Sequence, residues 1–167
     1  SMKINRLHDW DVSCSEAVAI QEELKGRLLL ADEPEGVPPE TMAGADISYS
    51  RHSDLFFAAV ILFSYPALEI LEEAFWMERV CFPYVPGLLS FREAPPLLKA
   101  FEKLSQAPDL AIFDGQGIAH PRGIGLASHM GLLLDVPTIG CAKSRLVGEY
   151  EPVGLEKGET ADLLYKG

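Results

Sequence analysis

Three strand-like segments joined by short turns constrain the fold of this chain more than any other feature. Residues 41–49, 55–63 and 68–81 are rich in aliphatic and aromatic side chains, and the polar or proline-containing turns 50–54 and 64–66 separate them. Turns this short join antiparallel neighbours, because parallel strands need a crossover of a dozen residues or more. We therefore predict an antiparallel meander of three strands.

The second half of the chain alternates between strand and helix patterns. The apolar run 110–113 stops at Asp114-Gly115-Gln116-Gly117, which is typical of a buried parallel strand that ends in a loop. A helix is predicted over 124–134 and a second buried strand over 136–141, which together form a right-handed crossover. A weaker strand pattern covers 161–165.

Two more helices complete the prediction. Ser13 and Glu16 have the spacing of a capping box, and apolar residues follow at helical spacing to about residue 30. Another helix is predicted over 90–104, although two consecutive prolines near its start disfavour a regular helix there. With 167 residues, the chain is expected to form a single α/β domain, in which helices flank one mixed sheet of three antiparallel strands followed by parallel strands.

The net charge of −11 initially argues against nucleic-acid binding, which depends on Lys and Arg. The charge is unevenly distributed, however. Residues 82–148 hold six basic and five acidic side chains, so this segment is close to neutral and the remainder carries −12. Binding directed to the neutral segment is therefore allowed, whereas tight nonspecific binding is disfavoured. One acidic cluster lies in a predicted surface loop at Asp32, Glu33, Glu35 and Glu40.

Compartment and membrane association follow from simple patterns. The apolar runs are far shorter than the roughly 18 to 20 residues of a membrane span, and the N-terminus lacks the pattern of a signal peptide. Three widely spaced cysteines, Cys14, Cys81 and Cys141, argue against a disulfide framework. We expect a cytoplasmic protein without a membrane partner, with reduced and buried cysteines.

Two aspartates in apolar strands indicate a metal site. Asp46 lies within the strand pattern 41–49, and Asp114 ends the run 110–113. A buried carboxylate costs several kcal/mol unless it is paired or binds a cation, and Mg²⁺ prefers a few carboxylates together with water and phosphate. Glu93, at a loop-to-helix boundary, is a third candidate ligand. The alternative interpretation is that these acids only cap turns.

Three other residues are candidates for a role in binding or catalysis, and each also has a purely structural interpretation. His120 lies in the glycine-rich loop 115–123 and could contact a phosphate, or could simply be exposed. Lys143 could hold a phosphate, or could be an ordinary surface lysine. Tyr84, between two prolines, could be a wedge that enters stacked bases, or could pack in the core.

Four segments taken together resemble the endonuclease V family, in the family's order: GADISYS, FPYVPGLLSFRE, PDLAIFDGQGIAHPRGIGLASHMG and VPTIGCAKS. The resemblance covers about residues 40–148. It implies a ribonuclease H-like fold, which agrees with the mixed sheet predicted above.

The resemblance also implies an activity: a Mg²⁺-dependent endodeoxyribonuclease, with Mn²⁺ able to substitute, that nicks DNA at the second phosphodiester bond 3′ to a deoxyinosine during repair. Some members of the family act on inosine in RNA. The expected partner is DNA containing deoxyinosine, with inosine-containing RNA as a further substrate, and the expected state is a monomer.

The family's motifs assign roles residue by residue. Asp46 and Asp114 match direct metal ligands, Glu93 matches a direct or water-mediated ligand, and Lys143 joins them as the fourth catalytic residue. Tyr84 matches the wedge that fills the gap left by a flipped base, within the segment Pro83, Tyr84, Val85 and Pro86. His120 and Lys143 match supports of the scissile strand, and the hypoxanthine pocket is expected at Gly87, Leu88, Gly115, Gly117 and Gly140.

The chain differs from the family in one respect. Members of the family normally continue for several dozen residues past a segment like this one. We therefore expect the chain to lack the family's C-terminal portion. Three alternatives remain: another ribonuclease H-like nuclease, a non-catalytic nucleic-acid-binding module, and a metabolic metal hydrolase. The last explains neither the Pro-Tyr-Val-Pro segment nor the order of the motifs.

Overall fold

The computed structural model of the protein describes residues 1–30 and 36–166. Asp32, Glu33 and Glu35 of the predicted acidic loop lie outside the described residues. The described residues form three helices and five strands, which in chain order are α1 (Cys14–Lys25), β1 (Thr41–Tyr49), β2 (Leu55–Ser64), β3 (Ile70–Arg79), α2 (Leu89–Phe101), β4 (Leu110–Phe113), α3 (Leu126–Leu134) and β5 (Thr138–Gly140).

These strands form one mixed sheet in the order β3-β2-β1-β4-β5. The pairs β1–β2 and β2–β3 are antiparallel, whereas β1–β4 and β4–β5 are parallel. The predicted fold class is therefore confirmed. The chain places β4 beside β1, the central strand of the sheet, so the end of the predicted buried strand, at Phe113, lies beside Ala45 in the middle of the first strand of the meander.

The main core lies between one face of the sheet and the helices α2 and α3. Leu62 from β2, Phe113 from β4, Phe101 from α2 and Met130 from α3 are completely buried there. On the other face, side chains of β2 and β3 are about half exposed, among them Phe57, Phe75 and Met77. The sheet is therefore strongly apolar on both faces, although α2 and α3 cover one.

Helix α1 begins as predicted and ends earlier. The Ser13 hydroxyl accepts a hydrogen bond from the Glu16 amide, and the Glu16 carboxylate accepts one from the Ser13 amide, so the capping box is present. The helix ends at Lys25 rather than near residue 30. Gly26 follows at the cap, where the conformational freedom of glycine disfavours continuation.

Helix α2 runs from Leu89 to Phe101 and contains Pro95 and Pro96 in its interior. Each proline removes a backbone hydrogen-bond donor, which normally costs a helix about 3 kcal/mol. The helix continues through both because it is packed along most of its length, with Pro96, Leu97 and Phe101 buried in the core.

Several smaller sequence expectations were wrong. Helix α3 begins at Leu126 rather than 124, and β5 covers a short part of the predicted strand 136–141. The predicted strand 161–165 is reduced to a single bridge between Glu149 and Leu164. All three cysteines lie in the described residues and are free, as expected, but Cys14 is half-buried and the other two are exposed. Within the described residues, no helix has both the length and the apolar character needed to cross a membrane.

Candidate active site and nucleic-acid interface

Asp46 and Asp114 meet at the centre of the sheet. The parallel pairing of β1 with β4 ends at Ala45 and Phe113, and the two aspartates come next in their strands. Adjacent strands lie about 4.8 Å apart, and residues side by side in a parallel pair point to the same face. The fold therefore brings together the two carboxylates that the sequence separates by 68 positions.

Glu93 faces the same pair from α2. Burial, followed by the negative charges of Asp46 and Asp114, raises the pKa of its carboxyl group from 4.5 to about 7, against the opposing effects of Arg92 and Lys143. A buried glutamate beside two other carboxylates favours a bound cation, because the cation offsets both the burial of its charge and the repulsion from Asp46 and Asp114.

A cation already lies at this site, in the form of the Lys143 ammonium. Lys143 donates a hydrogen bond to Asp114, and this contact raises the pKa of the lysine, with smaller effects of Asp46 and Glu93. In residues 1–30 and 36–166, no group of three or more His, Cys, Asp or Glu side chains is arranged to hold a metal ion. The carboxylate oxygens of Asp46, Asp114 and Glu93 are the donors that a hard divalent cation prefers, so the donor chemistry fits the expected ion. Binding it would require Lys143 to leave Asp114 and the acids to close around the ion.

The segment 82–88, called the tip below, leads from β3 to α2. Tyr84 is 67% exposed at its end, so the structural alternative of a core-packed tyrosine is wrong. Pro83 and Pro86 are also exposed, and Val85 is half-buried. An exposed aromatic ring between two prolines has the shape expected of a wedge.

The tip is held at its far end by the carbonyl oxygen of Gly87. This oxygen accepts hydrogen bonds from Gln21 Nε2 at 2.9 Å, His120 Nε2 at 2.8 Å and Arg122 Nη2 at 2.9 Å. Gly87 has a φ of +84°, and a Cβ there would lie 2.8 Å from Arg122 Nη2. Glycine is therefore required both for the turn and for the close approach of the guanidinium.

His120 is buried within this network. Its Nδ1 accepts a hydrogen bond from the Arg122 amide at 3.1 Å, so its Nε2 carries the hydrogen donated to Gly87. Burial, opposed by the Gly87 bond and aided by Arg122, lowers its pKa. The expectation that this loop histidine is exposed is wrong. With both ring nitrogens engaged, it supports the tip and leaves no free nitrogen for a phosphate.

The glycines expected to line a base pocket fall into two groups. A Cβ on Gly140 would lie 2.4 Å from the Gly117 nitrogen and 2.5 Å from the Gly115 oxygen, so these three pack backbone against backbone. Gly87 instead lines a separate cavity of about 20 Å³ beside Leu146. That volume suits one water molecule rather than a base. Leu88, which follows Gly87, is buried.

Reasoning from the sequence missed Gln21 and assigned no role to Arg122. Gln21 is 1% exposed on the buried side of α1, between Ala17 and Leu24. An amide in an otherwise apolar helical stripe was the available signal, since buried polar groups need partners. Sequence reasoning also missed the buried contact of His8 with His129, whose Nε2 atoms are 2.7 Å apart.

Comparison with known proteins gives consistent results. The family profile of endonuclease V matches residues 22–167. Endonuclease V of Nostoc punctiforme is 46% identical over 166 residues, which span 99% of this chain and 75% of the relative. Endonuclease V of Myxococcus xanthus is 48% identical over 158 residues, which span 95% of this chain and 67% of the relative.

Solved structures are similar as well. The crystal structure of endonuclease V from Streptomyces avermitilis superimposes with a TM-score of 0.86 at 44% identity, covering 94% of this chain and 69% of that one. An endonuclease V from Ciona intestinalis, solved in complex with a 23mer DNA containing an inosine followed by a ribo-adenosine, superimposes with a TM-score of 0.73 at 29% identity. That match covers 80% of this chain and 59% of the other.

Proposed function

Because this chain belongs to the endonuclease V family, we propose that it is a divalent-metal-dependent nuclease that nicks DNA at the second phosphodiester bond 3′ to a deoxyinosine. The nick leaves 3′-hydroxyl and 5′-phosphate ends, and inosine in RNA is a further substrate. The activity of the family as a deoxyinosine-type repair endonuclease supports the substrate, as does the inosine-containing DNA bound to the Ciona relative.

The observation that carries the proposal is the convergence of Asp46, within β1, and Asp114, just past the end of β4, with Glu93 close enough to be influenced by both. Asp46 accepts a hydrogen bond from the Ile47 amide, and Asp114 accepts one from Lys143, so both aspartates also have local partners. What favours a cation is the position of Glu93, because burial and then the charges of the two aspartates raise its pKa, and a bound cation would relieve both penalties. Mg²⁺, with Mn²⁺ as a substitute, is the proposed cation.

When bound, the metal supplies polarisation of the scissile phosphate and an activated water for in-line attack. Asp46 and Asp114 hold it directly, and Glu93 assists directly or through water. Lys143, which is 82% exposed in its contact with Asp114, is free to leave the carboxylate and hold a phosphate oxygen of the scissile strand.

Recognition depends on the tip. Tyr84 fills the gap that a flipped base leaves in the duplex, and the flanking residues 83, 85 and 86 keep the chain stiff. The backbone near the glycines of both groups, together with Leu88, receives the hypoxanthine after the small cavity beside Gly87 has opened. A mispaired or damaged base costs less to unstack, so such a pocket can select it despite the acidic charge of the protein.

The decisive experiment is a nicking assay on a duplex with a single deoxyinosine, with Mg²⁺, with Mn²⁺ and with chelator. We expect a metal-dependent nick at the second bond, and a loss of at least about 100-fold in Asp46→Asn and Asp114→Asn, because each removes a charged oxygen ligand of the proposed cation. Asp135→Asn is the matched control, since Asp135 is exposed and its left-handed backbone accepts asparagine.

Three results would each reject part of this proposal. Cleavage that survives chelator or Asp114→Asn contradicts the metal chemistry. The chain is a binding module if it binds the inosine duplex without nicking it at millimolar Mn²⁺. Full-length Nostoc endonuclease V must cut the same duplex for this conclusion. Equal cutting of unmodified and inosine-containing duplexes identifies a different ribonuclease H-like nuclease.

A further inference from the structure

Helix α1 lies outside the sheet that carries the acids, yet it reaches the tip in two ways: Ala17 packs in a small apolar cluster with Leu88, and Gln21 makes the polar contacts. Gln21 Nε2 donates to the Gly87 carbonyl oxygen, and Gln21 Oε1 accepts from Arg122 Nε at 2.5 Å. Both polar atoms of the amide are therefore used, and Arg122 donates to the same carbonyl through Nη2. The three groups form a closed ring of hydrogen bonds.

This ring depends on glutamine in particular. The position requires a donor toward Gly87 and an acceptor toward Arg122, which an amide provides and a carboxylate or an aliphatic side chain does not. Because Gln21 is buried, loss of either function leaves a polar group without its partner, which costs more than the hydrogen bond itself contributed.

The near end of the tip, at Phe82, has its own polar contact. Arg92 Nη1 donates to the Phe82 carbonyl at 2.6 Å, while its guanidinium carbon lies 4.9 Å from the centre of the Phe56 ring and 5.5 Å from that of Tyr49. Residues 82 and 87 are thus both fixed by buried or half-buried side chains. The exposed Tyr84 ring projects between these two fixed points.

We propose that Gln21 is a positioning residue for base displacement, which holds the tip in its projecting conformation before DNA arrives. The inference rests on the proposed function and deepens it. A preorganised tip loses less conformational freedom when it enters the duplex. More of the free energy of its interaction with DNA is then available to keep the base in its flipped position. A single strand leaves no gap to fill, and the contribution of Gln21 is expected to be small there.

The test compares nicking of duplex and single-stranded DNA that contain the same deoxyinosine. In Gln21→Met, kcat/KM on the duplex is expected to fall about tenfold, and on the single strand by less than about twofold. Gln21→Glu is the second variant, since it keeps an acceptor for Arg122 but cannot donate to Gly87, and the same selective loss is expected. Glu22→Gln, exposed on the same helix, is the control.

Coupling to Tyr84 provides an independent test. If Gln21 acts through the tip, Gln21→Met should change duplex nicking by less than about twofold in a Tyr84→Ala background, because the ring that it positions is already gone. Hydrogen exchange of the Val85, Gly87 and Leu88 amides should be faster in both Gln21 variants and unchanged in Glu22→Gln.

The outcomes separate the two proposals. If the wild-type chain nicks inosine duplex but the Gln21 variants keep its ratio of duplex to single-strand kcat/KM, the role of Gln21 is overturned. The proposed function then still stands. Equal losses on both substrates, or a full additive effect on Tyr84→Ala, also overturn it in favour of general stabilisation. A wild-type chain that neither nicks nor binds the inosine duplex rejects the function and this inference with it.

Discussion

Glu93 is the acid whose environment changes its chemistry most. Its pKa is raised from 4.5 to about 7 by burial and by Asp46 and Asp114. In the metal-free protein, ionisation of Glu93 therefore destabilises the folded state, and this cost grows as the pH rises from 4.5 through 7.

Glu93→Gln tests this directly. In chelator at pH 8, the variant is expected to melt at a higher temperature than the wild type, because the repelling charge is absent. The difference should shrink toward pH 5, where the folded wild type is protonated at this position. Thermal melts at the two pH values measure it. A difference in Tm that is independent of pH would show that charge is not the cause.

His129 is a buried side chain whose pKa is shifted in the opposite direction, downward. Burial, and then the proximity of His8, lowers its pKa from 6.5 to about 3. The neutral ring accepts or donates hydrogen bonds with Ser90 Oγ at 2.9 Å and with His8. Between about pH 6.5 and 3, the unfolded chain binds a proton here that the folded chain does not.

Stability should therefore fall with decreasing pH through this window, by up to about 1.4 kcal/mol per pH unit from this group. His129→Phe removes the titration and keeps an aromatic ring among Trp10 and Phe91. Between pH 6 and 5, the wild type is expected to lose about 1 kcal/mol more than the variant in urea unfolding. Parallel pH profiles would contradict the assignment.

At the scale of elements, the tip links β3 to α2 and depends on Gly87 for its shape. Gly87→Ala would place a Cβ 2.8 Å from Arg122 Nη2 at a φ of +84°. Gly123 is a matched control, because its φ is +73° and its Cβ would meet the flexible Lys25 side chain at 3.1 Å. The two variants share backbone strain and differ in damage to the hydrogen-bonding ring.

Both variants are expected to lose about 1 kcal/mol of unfolding free energy through strain. Gly87→Ala should also lose nicking of inosine duplex, whereas Gly123→Ala should keep it within about twofold when assayed well below its Tm. Chemical unfolding and initial nicking rates measure the two effects. Equal loss of activity in both variants would indicate that strain, rather than the ring, controls the tip.

At the scale of the whole molecule, the sheet has one face covered by α2 and α3 and one face with half-exposed apolar side chains. Phe57 is 48% exposed and Phe75 is 56% exposed, and together with Asp46 they border an open groove of about 380 Å³. Exposed apolar surface of this kind binds hydrophobic dyes.

Phe57→Ser with Phe75→Ser is expected to reduce the fluorescence of bound anilinonaphthalene sulfonate and to lower the unfolding free energy by less than about 1 kcal/mol. Leu62→Ala, in the same strand but completely buried on the covered face, should cost about 2 to 5 kcal/mol. Similar costs on both faces would mean that the open face is packed in solution.

Much of the fold was predictable because side-chain patterning is a local property. The bounds of β1 and β4 match the predicted segments, and the capping box of α1 is where its spacing placed it. The errors occur where packing outweighs local preference. Helix α2 runs through two prolines because the core holds it, and the predicted strand 161–165 finds a single bridging partner.

The sequence by itself determined that Asp46 lies within one strand and that Asp114 follows another, since an Asp inside or directly after an apolar run is visible in one dimension. Tertiary structure alone decided that Asp46 stands beside Asp114, because sheet order depends on how the whole core packs. It also decided that Gln21 meets Arg122, 101 positions away, and that His8 meets His129, 121 positions away. Such pairs form because a buried polar group must find a partner wherever the fold supplies one.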